Sequence, residues 1–526
     1  MARHFDAIAV GAGLGGLTAA ALYARSGARV LVLERSDVCG GAATVYRHGP
    51  LAIEASLHEI DGLDADDPKL PILRSLGLDR DLDFVDVGDL YEVRGPQIGE
   101  PFALPSGVEQ ALRAVVTRFP HRAAELAGYF RRLLAARDAV AFAARHQGDP
   151  RSFLLHAPET VRRLWPLLRE GRATVKEVLD ELFGAEEAIK LVLTANLSYF
   201  HDDPAQMPFL RFAIPQASYL RGGGHYIRGG SQALSDRLVA LIREAKGVVE
   251  TSREVDTLIL DEDGIIGVAH HGRDRADVGV EYAPVVFANA APQRLAQMMP
   301  GGRRRLFLAT YAGRRPSISL WTVALGLSRP PAEFGVRRYS TFILPPWMRA
   351  LSEMRDTGAI PGELPGTRLP PYCFVDYHRI DGGLNPTAPF LGALCGIDRL
   401  ANWESLTADA KHAHKTGWMD CLIADLDREF PGIAAAVVHR EMATAETFAR
   451  YLNTPEGAVY GFAPDRESPH PLAMTARTAI EGLWLASAYV FGGGYSGAMI
   501  GGATAAREAI RAADRHLHPP ALGAIS

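Results

Sequence analysis

Cysteine is scarce in this chain. Only Cys39, Cys373, Cys395 and Cys421 occur in 526 residues, with no CxxC or metal-ligand spacing. That excludes a disulfide scaffold and fits a reducing, cytoplasmic setting. A basic excess is missing as well: 56 Lys and Arg face 61 Asp and Glu, so no nucleic-acid partner is expected. Disorder is excluded by a 48 % hydrophobic content with nearly balanced charge. Long lipid-type runs are also lacking. Arg3 precedes an apolar stretch, but glycines at 11, 13, 15 and 16 and the lack of a clean cleavage site argue against a signal peptide. Residues 482–506 carry no charge, yet the glycines at 492–494 and 501–502 read as a buried loop and helix rather than a membrane span. The histidines show neither HxxxH nor HExxH. His270-His271 reads as a solvated strand end, and no metal site is expected.

What is present begins in the first forty residues. FDAIAV at 5–10 has strand length, GAGLGG at 11–16 follows, 17–26 reads as an Ala/Leu-rich helix, and RVLVLE at 29–34 is a second strand. This is a β-α-β unit with GxGxxG at its first turn. Gly11 permits the tight turn, Gly13 lets backbone approach a pyrophosphate, and Gly16 lets the helix pack against the strand. Leu14 and Gly15 complete a turn whose helix amino end faces the phosphates. Glu34 ends the second strand, where a carboxylate bonds ribose hydroxyls and repels a 2′-phosphate. Gly40 and Gly41, between Arg35 and Ala42, offer a second set of amides near the phosphates.

The stretch LERSDVCGG at 33–41 resembles the N-terminal signature of glutathione-reductase-like flavoproteins. No second GxGxxG sits on a β-α-β unit, so the resemblance implies FAD and no separate nicotinamide domain. GGHYIRGG at 223–230 opens a helix capped by Ser231. Short strands follow at 248–251, 255–260 and 265–270, with a return strand at 285–289 ending in Asn289. This order resembles the middle of the FAD-binding domain in phytoene-desaturase-like flavoproteins, where the position of Val255 turns its backbone to the adenine. YLNTPEGAVYGF at 451–462 and residues 481–506 are similar to that family's last flavin segment: strand, glycine turn, then a helix beginning near Ser496 and pointing at the isoalloxazine. Gly493, Gly494 and Gly497 would let backbone lie against the flavin. Within the superfamily the chain most resembles the carotenoid isomerase and retinol saturase branch, through Glu54-Ala55-Ser56-Leu57-His58. Ser56 replaces a glycine there, Ala42-Ala43 stand where many relatives carry an arginine, and Ala486-Ser487-Ala488 replaces a Gly-Asp or Gly-Gln pair.

The expected fold is α/β: a Rossmann-like, glutathione-reductase-like FAD-binding domain with an inserted α+β substrate domain. The FAD-binding parts are expected at 1–95, 216–295 and 446–526. A helical substrate insertion lies at 96–215 and a second substrate part at 296–445. The resemblance implies an FAD-dependent oxidoreductase acting on carbon–carbon bonds of a hydrophobic polyene or isoprenoid-like lipid, by desaturation, isomerisation or saturation. Two alternatives stand beside it: an amine-oxidase-type enzyme, whose family carries a Gly-Glu pair where Ser487-Ala488 stands here, and a non-catalytic flavin- or lipid-binding protein. The proton-handling candidates are His58, His225 and Tyr489. An external electron acceptor, quinone or oxygen, is expected. FILPPWM at 342–348 reads as a packed strand and loop, with a peripheral membrane tip as the alternative.

Overall fold

The computed structural model describes residues 3–146 and 157–517. At its centre is an all-parallel five-stranded sheet in the order β11 (Val248–Glu250), β3 (Val30–Leu33), β2 (Ala7–Val10), β15 (Val286–Ala288), β21 (Leu483–Leu485). Every side chain of β2 and β3 is buried, as a parallel sheet covered on both faces requires. The first helix, Leu14–Arg25, begins three residues before its expected start, because Gly15 and Gly16 form its first turn. The helix Gly494–Leu517 crosses it at contact distance. A Cβ on Gly502 would lie 2.1 Å from the Gly15 carbonyl oxygen, so only glycine fits the crossing.

Beside this sheet lies a four-stranded one, ordered β1 (Arg3–His4), β14 (Val278–Tyr282), β13 (Ile265–His271), β12 (Glu254–Leu260). It corrects one expectation. His270 is only 2 % exposed and His271 8 %, because β13 is an inner strand covered by its neighbours. Ser231 is a second correction. The helix Ser231–Glu244 has Gly230 at its cap position, and the Ser231 hydroxyl and amide instead donate to Glu54 at 2.6 and 2.9 Å.

The largest sheet has seven strands, ordered β20 (Val437–Ala443), β16 (Ser319–Leu327), β19 (Phe390–Asp398), β18 (Tyr372–Asp376), β17 (Ser340–Ile343), β8 (Tyr91–Arg94), β9 (Phe102–Leu104). Strands β8 and β9, on either side of residue 95, thus share it. Strand alternation splits its side chains between two cores. Phe342, Cys373 and Val375 join the core of the dinucleotide-binding part, with Ala393 and Cys395 packed against it. Ile343, Tyr372, Phe374 and Leu394 pack the other way with Trp403 and Trp418. Phe342, Ile343, Leu344 and Met348 are buried while Pro346 is exposed and Trp347 half-buried, so most of FILPPWM packs as strand and loop in the core. Two small pieces complete the fold: β6 (Ile60–Asp61), β10 (Gly224–Ile227) and β7 (Phe84–Asp86) in one sheet, and the hairpin β4 (Val45–His48) with β5 (Leu51–Glu54). Among the described residues, no helix is long and apolar enough to cross a membrane.

Candidate dinucleotide groove and its inner cluster

The glycine turn, Glu34 (expected at the ribose) and the second glycine pair converge at the carboxyl end of β2. Glu34 is buried, and its carboxylate accepts from the Ala12 amide at 2.7 Å and the Ser36 amide at 2.8 Å. The Gly40 amide donates to the Ala12 carbonyl at 2.7 Å, and Gly13 bridges to Gly40. Asn289, at the end of β15, leans across the same turn: a Cβ on Gly13 would lie 2.4 Å from its Nδ2. The Arg253 and Ser252 amides donate to the Glu34 and Ser36 carbonyls, which brings the start of β12, and with it Val255, alongside the ribose acid. Arg35 is turned outward, donating to the carbonyls of Arg450 and Tyr451.

The last glycine segment closes the other end. The Ser56 hydroxyl donates to the Ala42 carbonyl at 2.6 Å. With its proton spent there, it accepts from the Tyr495 hydroxyl at 3.0 Å. The Ser496 hydroxyl donates to Asp61 at 2.6 Å. The distribution of exposure then traces a groove. Gly11, Gly13, Gly41, Ala42 and Gly492 through Ser496 keep accessible surface, while Ala12, Leu14, Gly15, Gly16 and Ala43 between them are buried. An accessible strip of glycine backbone inside a buried core suits a flat dinucleotide, so the residues present fit the group that the motif implies.

Glu54 is the post on which this end of the groove stands. Besides Ser231, it accepts from the Leu57 amide at 3.2 Å and the Tyr226 hydroxyl at 3.0 Å. Burial raises its pKa, and the Ser231 bonds oppose that rise. Beyond it lies an aromatic and thiol cluster that faces the inner side of the seven-stranded sheet. The His58 and Tyr199 rings meet edge to face at 5.1 Å, and Tyr199 meets Phe342 at 5.5 Å. Cys373 and Cys395 sit directly opposite each other on β18 and β19. Glu59 stands next to His58. Its Oε2 is shut off from solvent with no hydrogen-bond partner, and burial pushes its carboxyl up to about 8, with Asp61 adding to the rise.

The three proton-handling candidates do not meet. His58 is held at both ring nitrogens, Nε2 by the Ser340 hydroxyl at 2.5 Å and Nδ1 by the Tyr199 hydroxyl, and burial pulls its pKa down to about 3. Burial thus favours the neutral imidazole there. His225, on β10, faces Asp86, Lys69, Asp67 and Asp61, its Nδ1 without a partner and its pKa lowered by burial. Tyr489 lies in a short helix, Ala488–Phe491, not on a strand, because Ser487 caps the turn by accepting from its amide at 3.3 Å. Its ring packs on Phe462 at 4.9 Å, in a pocket with Arg211 and Arg314. Glu59 was not among the candidates. Its neighbour His58 drew attention through the resemblance, and a lone Glu after a histidine carries no sequence signal of burial.

Fold and groove together define a Rossmann-type dinucleotide site. Residues 10–69 match the model of the NAD(P)-binding Rossmann-like domain. The chain is 24 % identical over 526 residues to the all-trans-retinol 13,14-reductase of Macaca fascicularis, covering 95 % of this chain and 84 % of that one. It is 25 % identical over 330 residues to the phytoene desaturase (neurosporene-forming) of Cereibacter sphaeroides, covering 61 % and 60 %. Among solved structures, cyclohexylamine oxidase from Brevibacterium oxydans superposes with a TM-score of 0.59 at 17 % identity, over 98 % of this chain and 99 % of that one, a likeness of fold. The chain is therefore a homologue of retinol 13,14-reductases and phytoene desaturases, as the flavin-type motifs implied.

Proposed function

We propose that this chain is an FAD-dependent oxidoreductase that adds or removes hydrogen across carbon–carbon double bonds of a hydrophobic polyene or isoprenoid-like lipid. One observation carries the reading: the glycine groove runs out, past Ser56 and Tyr495, against a cluster of aromatic rings and thiols in which Glu59 is the neighbouring carboxyl. Such a wall offers dispersion contacts along a conjugated chain and keeps water from the reacting carbons. Gly11, Gly13, Leu14, Glu34, Gly41, Ala42, Val255, Asn289, Gly493, Gly494, Ser496 and Gly497 would hold the cofactor. FAD, when bound, supplies hydride exchange at N5.

The chain's own share is positioning and one proton. Saturating a double bond consumes a proton as well as a hydride, and a carboxyl near 8 is protonated at neutral pH. Glu59 therefore takes the part that the sequence suggested for His58, whose ring is neutral and engaged on both sides. A quinone or oxygen would serve as external electron partner.

The test is an anaerobic absorption titration of the purified protein. A polyene lipid is expected to bleach the oxidised flavin, or to restore its colour after chemical reduction. Silence toward both retinoid and carotenoid lipids, with bleaching by amines, would replace this reading by an amine oxidase. Absence of flavin that added FAD cannot restore would end both.

A further inference from the structure

The hairpin β4–β5 brings a histidine from the start of the chain to two ligand-type side chains near its end. His48 closes β4 and is exposed. His439 and Glu441 lie two residues apart on β20, the outermost strand of the seven-stranded sheet, so their side chains leave the same face. His48 Nδ1 is 2.8 Å from a Glu441 carboxylate oxygen, and the His48 and His439 rings meet edge to face with centroids 4.7 Å apart. One donor atom from each of the three lies within 4.8 Å of the others. His439 Nε2 is shut off from solvent and has no hydrogen-bond partner, a state that costs about 1–3 kcal/mol for a buried polar atom. The intervening cation does not compete for the carboxylate. Arg440 points to the opposite face and pairs with Asp420.

We propose that His48, His439 and Glu441 bind a divalent transition cation of the zinc type, which pins the β4–β5 hairpin to the outer edge of the seven-stranded sheet. Two imidazoles and a carboxylate form a borderline N/O donor set that suits zinc, nickel or copper far better than magnesium or calcium. Around a zinc ion with bonds of about 2.0–2.2 Å, tetrahedral donors stand roughly 3.3–3.6 Å apart. To reach that spacing the 2.8 Å His48–Glu441 contact has to open and the widest separation, within 4.8 Å, to close, a movement that falls to the exposed His48 side chain. Three protein ligands leave a fourth position for water. The ion would join two parts of the molecule across one surface, since β4 follows the Gly40–Gly41 turn of the groove while β20 belongs to the other core. The proposal is independent of the reading of the flavin site.

The experiment uses the full chain with its cofactor, stripped with a chelator and titrated calorimetrically with zinc chloride. About one equivalent is expected to bind, with a rise in Tm. His48→Ala, a surface change that leaves the core intact, is expected to weaken binding at least about tenfold and to abolish the Tm rise, since a third of the ligand set is gone. His439→Ala should weaken binding similarly. Cobalt gives a second readout, a visible ligand-field band that His48→Ala removes. Zinc binding unchanged in His48→Ala, or no stoichiometric binding by the parent protein, overturns the proposal.

Discussion

The groove and the inner cluster lie side by side, joined through Ser56 and Tyr495, yet they are built from different material. The groove is backbone. Its surface is largely glycine, the contacts at its turn are mostly amides and carbonyls, and Glu34 is the side chain tied to the Ala12 amide of the turn. The cluster is side chain throughout: rings, thiols and one carboxyl contributed by segments near residues 58, 199, 342, 373 and 395. A backbone surface recognises what all members of a cofactor class share and tolerates almost no substitution. A side-chain surface recognises a particular substrate and can drift. The same contrast separates the features of this protein that follow a known pattern from those that do not.

The contrast breaks most sharply at Gly13. A Gly13→Val variant places a branched side chain where a Cβ already falls 2.4 Å from Asn289 Nδ2. Flavin content after purification is expected to fall at least about tenfold, with the far-ultraviolet spectrum of the fold retained. Full flavin occupancy in that variant would mean the cofactor does not pass over this turn.

Glu59→Gln acts on the other side of the comparison. Flavin content should stay, while turnover of the lipid falls about a hundredfold, the usual range for loss of an acid–base group. The pH dependence of stability gives a second readout. The folded carboxyl sits near 8, well above its ordinary 4.5, so the fold prefers the acid form and loses stability as pH rises across that window. Glu59→Gln removes this loss, and its Tm advantage over the parent should grow from pH 5 to pH 8 by an amount worth up to about 3–4 kcal/mol.

His58→Ala is expected to have the smallest catalytic effect, a few-fold at most, because its imidazole is neutral and engaged at both ring nitrogens. Its cost is structural, about 1–2 kcal/mol for the partners left behind at Ser340 and Tyr199. His58 titrates near 3 in the fold against an ordinary 6.5, so the parent loses stability as pH falls through that range, and the variant should lose less. A hundredfold loss of turnover with flavin bound would return His58 to the proton-handling role.

The parts legible in the sequence are those in which one short segment carries its own reason. GxGxxG between two apolar strands, an acid closing the second strand and an uncharged glycine-rich tail each state a local backbone requirement, and each stands in the structure. Local chemistry also misled. Ser231 has the composition of a helix cap, but a buried Glu54 captured its hydroxyl and the cap position fell to Gly230. His270-His271 looked like a strand end facing water, and the packing of β13 between two neighbours buried it.

By itself, the sequence determined the dinucleotide-binding architecture, because phosphate recognition by backbone and helix terminus is a matter of a few contiguous residues. Only the tertiary structure decided which ionisable groups lie deep and unpaired, and which meet across the chain. Glu59 gained its raised pKa from what packs around it. Burial drove the His58 imidazole, held between Tyr199 and Ser340, to its neutral form, and His48 found His439 and Glu441 nearly four hundred residues away. Desolvation and long-range contact are properties of the packed molecule, and no spacing along the chain encodes either.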